Sequence, residues 1–270
     1  MHLFVSGCPR SGTTALTRLL NLHPSIVVGL ERYKNVFGRQ KFVTKDMFEA
    51  DRFFDFHPDD SNFLPEKSQQ ARDFYEKART KFSTATFIGD KYPQFFRFYG
   101  GIFKNLPDAK IVFIFRDPSY VAQSWERRSL DSSDWPSKND ARRAIAYWND
   151  ALAYTLAYTQ IKKSAFVFVD YEQFFAGREQ SLIELFHLVG AEVTRAIQDT
   201  VAQEAADEFK RSQEVLARDV ELSRALQNEI KEDADRNLYR RAQRIVEQQK
   251  ARAELQAETG VQGSDGPNRT

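Results

Sequence analysis

The sequence predicts an α/β fold of the P-loop type, with three layers around a central parallel sheet and a C-terminal helical extension. Three observations carry that reading. Four short apolar runs, at 3–6, 86–88, 111–115 and 166–169, are continuous rather than alternating, which suits strands buried on both faces. Helical patterns fill the gaps at 13–22, 119–127 and 142–162, and strands alternating with helices imply parallel pairing through right-handed crossovers. Between the first run and the first helix stands Gly7-Cys8-Pro9-Arg10-Ser11-Gly12-Thr13-Thr14, with the glycine spacing of a phosphate-binding loop.

Composition divides the chain. All Phe, Tyr and Trp residues except Phe209 and Tyr239 lie before residue 190. Large aromatics dominate core burial, so residues 1–190 are read as the P-loop domain. Within it, 40–81 mixes Phe42, Phe48, Phe53, Phe54, Phe56 and Phe63 with many charges and reads as a helical insertion or lid. Residues 191–259 carry Ile197, Val201, Ala205, Phe209, Leu226, Ile230, Leu238 and Ile245 in one narrow apolar seam. That pattern reads as a helical arm, either packed on the core or available to a second copy as a homodimer surface. Residues 260–270 read as a disordered tail.

Among 270 residues, 39 basic side chains meet 38 acidic ones, giving a net charge of +1. Bulk attraction to nucleic acid or to an anionic membrane is therefore not expected. The single cysteine, Cys8, excludes an internal disulfide framework and a cysteine-based zinc site. No run reaches the roughly 18 apolar residues that cross a bilayer, and no basic segment precedes a hydrophobic signal core. A cytoplasmic chain without a membrane partner is the expectation.

In the glycine loop, successive backbone N–H groups and the positive end of the helix can cradle an anion. Thr13 stands where such loops carry lysine, and the nearby cation is Arg10, so the ligand need not be the β/γ-phosphates of ATP. A second anion site is suggested by Arg116, at the end of the 111–115 run, with Ser124 eight residues on. Open α/β sheets place ligands at that edge, and an Arg fork with a hydroxyl can hold a phosphate dianion.

Pro9-Arg10-Ser11-Gly12-Thr13-Thr14 together with Arg116 and Ser124 resembles the two 3′-phosphoadenylyl sulfate (PAPS) elements of the sulfotransferases. The similarity is closest to the tyrosylprotein and carbohydrate branch. It extends over about residues 3–190 through Gly29-Leu30-Glu31, Gly89-Asp90-Lys91-Tyr92-Pro93, Pro107-Asp108-Ala109-Lys110 and Val169-Asp170-Tyr171-Glu172. The resemblance implies a PAPS donor, sulfuryl transfer to an acceptor hydroxyl or amine, and no metal. By position, Arg10, Ser11, Gly12, Thr13 and Thr14 would hold the 5′-phosphosulfate, and Arg116 and Ser124 the 3′-phosphate, with Tyr171 beside it. Glu31, 21 residues after Arg10, matches the catalytic glutamate and would be the general base. Lys91 matches the catalytic lysine and would share with Arg10 the charge that develops on the transferring group and the leaving oxygen.

Glu126, Asp90 and Asp117 are rival bases for an acceptor entering from another side. The segments 40–80 and 129–139, with Trp135, are read as lining an acceptor cleft suited to a carbohydrate or a glycosylated or small metabolite. The membrane anchor, the disulfides and the C-terminal donor-binding loop of the tyrosylprotein enzymes have no counterpart in the sequence, which puts a protein tyrosine acceptor in doubt. His2, His23, His57 and His187 add little. The alternatives are an ATP-dependent P-loop kinase and an inactive binding protein on a nucleotide fold.

Overall fold

Five strands make one sheet in the computed structural model of the chain, which describes residues 1–40, 43–131, 136–216 and 222–261. In chain order the elements are β1 (Leu3–Gly7), α1 (Thr13–Leu20), β2 (Ile26–Leu30), α2 (Lys34–Gln40), α3 (Ala50–Phe53), α4 (Gln69–Lys81), β3 (Phe87–Lys91), α5 (Tyr99–Asn105), β4 (Lys110–Phe115), α6 (Pro118–Asp131), α7 (Ala141–Ile161), β5 (Phe166–Asp170), α8 (Tyr171–Val189), α9 (Arg195–Glu204), α10 (Ala206–Leu216), α11 (Arg224–Asp233) and α12 (Arg236–Val261). The strand order is β2-β3-β1-β4-β5 and every pairing is parallel. All five strands therefore end at one edge, where the βα loops gather. Trp135 and the tail residues 262–270 lie outside the described residues.

The four predicted strands are present, and β2 is a fifth that the apolar runs did not give. Its Ile26-Val27-Val28 signal is cut short by Gly29, a poor strand former on local grounds. Tertiary structure demands that glycine: a Cβ at Gly29 would lie 2.8 Å from Oδ1 of Asp90 on the neighbouring strand. Strand β3 likewise runs on past the 86–88 run to the polar pair Asp90 and Lys91, buried at the sheet edge.

Successive strand residues face opposite sides, and both sides are apolar. Phe4, Ile111, Phe113, Phe115, Phe166 and Phe168 pack into one layer with α5, α6 and α7, while Leu3, Val5, Ile26, Val28, Val112 and Ile114 pack into the other with α1 and α8. The C-terminal helices divide between them. Ile197 and Val201 of α9, Ala205 just after it and Phe209 of α10, spaced by four, join the α1 and α8 layer; Ile230 of α11, Ala234 just after it, and Ala242 and Val246 of α12 join the other. Their apolar seam thus faces the chain's own core. Gln249 of α12 caps the edge strand β5 as a sixth strand would, accepting from Phe168 N (3.0 Å) and donating to Phe166 O (2.9 Å). Those bonds occupy polar groups that an open edge offers to other chains. Among the described residues no helix is long and apolar enough to cross a membrane.

The connection from β2 to β3 is fastened from within. Phe48, Phe53, Tyr75 and Phe82 are buried in the core. Arg32, two residues past β2 and wholly buried, donates to Asp60 (2.7 Å) and to Phe53 O (2.8 Å), with the rings of Tyr33 and Phe56 at 4.5 and 4.3 Å from its guanidinium carbon. A buried ion pair with such additional bonds is satisfied, and removing either partner would strand a charge in the core.

Candidate active site

The glycine loop leaves β1 at Gly7 and enters α1 at Thr13. Arg10 (φ 77°) and Gly12 (φ 88°) are both left-handed, and Ser11 N donates to Cys8 O at 3.1 Å, so the chain curls into a tight turn. Such alternation of backbone handedness makes the concave array of N–H groups that binds anions. Gly12 is required twice over, by its φ and by Tyr171, whose ring would lie 2.4 Å from a Cβ there. Ser11 is wholly buried and its Oγ has no hydrogen-bond partner. Trp125 of α6 donates to Pro9 O (2.9 Å), and Arg10 Nε donates to Ser124 Oγ (3.0 Å). Two predicted donor-site residues, 114 positions apart, therefore touch.

Arg116 follows β4 and is 4% exposed. Its carbonyl accepts from Trp148 Nε1 (2.8 Å), and its guanidinium lies 4.5 Å from the Tyr171 ring and 5.0 Å from that of Tyr120. The Arg116 Nε has no hydrogen-bond partner, and the Glu172 carboxylate stands 3.7 Å away, beyond hydrogen-bond reach. Burial lowers the Arg116 pKa. Burial, then the charge of Asp170, pushes the Glu172 carboxyl up to about 7. Tyr171 donates its hydroxyl to Ser212 O of α10 (3.1 Å), so what it turns toward Arg116 is its ring face.

On the other side of the loop, β2 and β3 end together, with Leu30 opposite Lys91. The Lys91 ammonium, nearly buried, donates to Glu31 Oε1 at 2.8 Å, and Lys34 reaches Oε2 at 3.2 Å. Burial alone would raise the Glu31 carboxyl; Lys91, then Lys34, outweigh it and hold it at about 2. Glu31 is left-handed (φ 55°), a conformation that costs a non-glycine residue on the order of 1–3 kcal/mol and is found at functional sites. Arg32 turns away to Asp60, so the Glu31 partners are lysines.

The rival carboxylates are otherwise engaged. Asp90 is wholly buried, with both oxygens accepting backbone amides, and burial pushes its carboxyl up to about 7 against those amides and Lys91. Asp117 accepts from Ser119 N (2.8 Å) and pairs with Arg236 at the start of α12 (2.9 Å). Glu126 accepts from Ala141 N (2.9 Å). The structure thus sets Arg10 against Ser124, Arg116 against Tyr171, and Glu31 against Lys91, along a single edge of the sheet. Sequence reasoning gave no role to Trp125, Trp148, Tyr120 or Glu172. Only Glu172 had a local signal, its place after Tyr171 at a strand end.

A parallel sheet whose C-terminal edge carries a glycine loop, a buried arginine short of acceptors and a lysine-held carboxylate has the parts of a group-transfer enzyme acting on an anionic donor. The sequence model of the sulfotransferase family matches residues 2–195, and the chain belongs to that family. No curated protein matches the chain in sequence. Similar solved structures include the sulfotransferase domain of the Synechococcus PCC 7002 olefin synthase, 17% identical over 86% of this chain and 92% of that one, with a TM-score of 0.53. The sulfotransferase domain from the curacin biosynthetic pathway is 15% identical over 81% of this chain and 98% of that one, with a TM-score of 0.51. At such identities the likeness is one of fold.

Proposed function

We propose that this enzyme transfers the sulfuryl group of PAPS to a hydroxyl of a carbohydrate or a glycosylated or other small metabolite, by in-line displacement with Glu31 as the base. The observation that carries the assignment of the donor site is unsatisfied polarity at two points along the sheet edge. Ser11 Oγ and Arg116 Nε are buried without hydrogen-bond partners, and a buried donor left unmade costs about 1–3 kcal/mol that a ligand can recover. A donor with anionic groups at both ends fits such a pair of sockets. When bound, PAPS supplies an activated sulfuryl group on a phosphate leaving group.

The residues then divide the work. Arg10, Ser11, Gly12, Thr13 and Thr14 hold the 5′-phosphosulfate with backbone N–H groups, hydroxyls and the N-terminus of α1. Arg116 and Ser124 hold the 3′-phosphate, and the Tyr171 ring, 4.5 Å from the guanidinium carbon, supports Arg116 with its face. Lys91 and Arg10 stabilise charge on the transferring group and the leaving oxygen. Glu31, its side chain about a quarter exposed, receives the acceptor proton. A carboxylate held at about 2 is a weak base. As Lys91 turns to the sulfuryl group, Glu31 keeps Lys34 alone, and its proton affinity rises where a proton must be taken. Tyr92, its phenol raised to about 12 by burial and then by the Glu31 charge, and Tyr147, stacked under Arg97 at 4.4 Å, give the neighbourhood the aromatic and polar mixture that sugars pack against.

The test is thermal denaturation with adenosine 3′,5′-bisphosphate (PAP), the desulfated donor, against ATP with Mg²⁺. A ligand at about 100 times its dissociation constant adds about 2.7 kcal/mol of stability. Stabilisation by PAP alone is expected. Stabilisation by ATP and Mg²⁺ alone would overturn the donor assignment.

A further inference from the structure

Glu31 and Lys91 are 60 positions apart and meet because β2 lies beside β3. Strand pairing fixes Lys91, but Glu31 lies just past the end of β2, in a left-handed turn that must be supported by something. The support is visible one residue before Lys91. Oδ1 of Asp90 accepts the amides of Lys91 (2.8 Å) and Arg32 (3.0 Å), and Oδ2 accepts the amide of Tyr33 (3.1 Å). The two amides that follow Glu31 and the amide of Lys91 itself thus converge on one wholly buried carboxylate. Glu31 closes the ring by donating its own amide to Lys91 O (2.9 Å).

We propose that Asp90 is a positioning residue of this enzyme: its carboxylate sets the distance between Glu31 and Lys91 by tying the turn that carries one to the strand end that carries the other. The inference rests on the roles given above to Glu31 and Lys91. Two features make aspartate the residue required. Both oxygens must accept, which an amide side chain cannot do, since an Asn would turn an NH₂ group toward an amide donor. The carboxylate also fills space that a side chain at position 29 would need, a Cβ there lying 2.8 Å from Oδ1. Gly29 is thus part of the same device. No oxygen of Asp90 is left to meet an acceptor, so it acts through the two residues it aligns.

The experiment compares Asp90→Asn with wild type in three readouts: sulfate release from PAPS with water as the acceptor, PAP affinity, and the crystal structure with PAP. The expected result is a fall in kcat of at least about tenfold, with the PAP dissociation constant within about threefold of wild type and the Lys91 to Glu31 hydrogen bond broken. Gln249→Ala, at the distant β5 edge, is the control for lost stability as such, and it should lower Tm without lowering kcat. If Asp90→Asn does not fold, Gly29→Ala, whose added methyl displaces the same carboxylate, should give the same split between kcat and affinity. A wild-type kcat in Asp90→Asn, beside an inactive Glu31→Gln, would overturn the inference alone. A wild-type kcat in Glu31→Gln would overturn the base assignment, and the inference with it.

Discussion

Arg116 follows β4 and Glu31 follows β2, at the same edge of the same sheet, yet the two corners handle charge in opposite ways. Around Arg116 the structure leaves a buried Nε without a hydrogen-bond partner, its nearest carboxylate, Glu172, making only a long ion pair at 3.7 Å. Around Glu31 it does the reverse, pairing the carboxylate with Lys91 at 2.8 Å and Lys34 at 3.2 Å. The first corner is built to receive an anion from outside, because its buried Nε gains a hydrogen bond only when one arrives. The second carries its own counter-charges, and gains reactivity only when one of them is drawn away. Binding and reaction are in this way assigned to different strand ends, and variants can separate them.

The largest effect should come from the reactive corner. Glu31→Gln keeps the size of the side chain and removes the base, so turnover should fall by about 10² to 10⁴ while PAP affinity stays near wild type. Loss of PAP affinity in that variant would blur the division of labour. Next comes the binding corner, where Arg116→Ala removes a buried cation and should cost about 2–5 kcal/mol of PAP affinity, thirtyfold or more, as read by calorimetry.

A smaller effect concerns pH. The Glu172 carboxyl, raised to about 7 and 3.7 Å from Arg116, is neutral below that pH and repels an incoming phosphate above it. Raising pH through about 7 should therefore weaken PAP binding by roughly threefold to tenfold relative to Glu172→Gln, the size of a displacement of half to one pKa unit. Equal pH profiles for the two proteins would remove Glu172 from the account. Stability carries the same sign. Glu172 holds a proton in the folded state that the unfolded chain releases, so its contribution declines as pH rises from the ordinary carboxylate range to about 7. Glu31, held at about 2, has the opposite sign, and its contribution is lost only as pH falls below the ordinary range.

How much of this could be read in the sequence follows from how local each signal is. The glycine loop and the β4 end carry their chemistry in consecutive residues, and 3–6 and 111–115 are apolar enough to declare strands without help. Strand β2 was hidden because Gly29 obeys a carboxylate on the next strand and not its own neighbours. Glu31 and Lys91 were each picked out by a family resemblance, but their pairing depends on strand order, which no local pattern encodes. Asp90 looked like a rival base because a sequence gives a carboxylate without its partners. Only the three amides converging on it reveal that it is spoken for. Trp148, which binds the Arg116 carbonyl from α7, was illegible for the same reason, whereas Tyr171, at the start of α8, was set beside the Arg116 anion site by the family resemblance and stacks near its guanidinium.

The division between the two corners is tested most directly at Lys91, which belongs by contact to the base and by proposed role to the donor. Lys91→Ala should be assayed for PAPS turnover and for PAP affinity on one preparation. The account expects turnover to fall by about 10² to 10³, with PAP affinity within about threefold of wild type, since the donor is held by the glycine loop and Arg116. Turnover near wild type, with affinity lost instead, would contradict it and make Lys91 a binding residue.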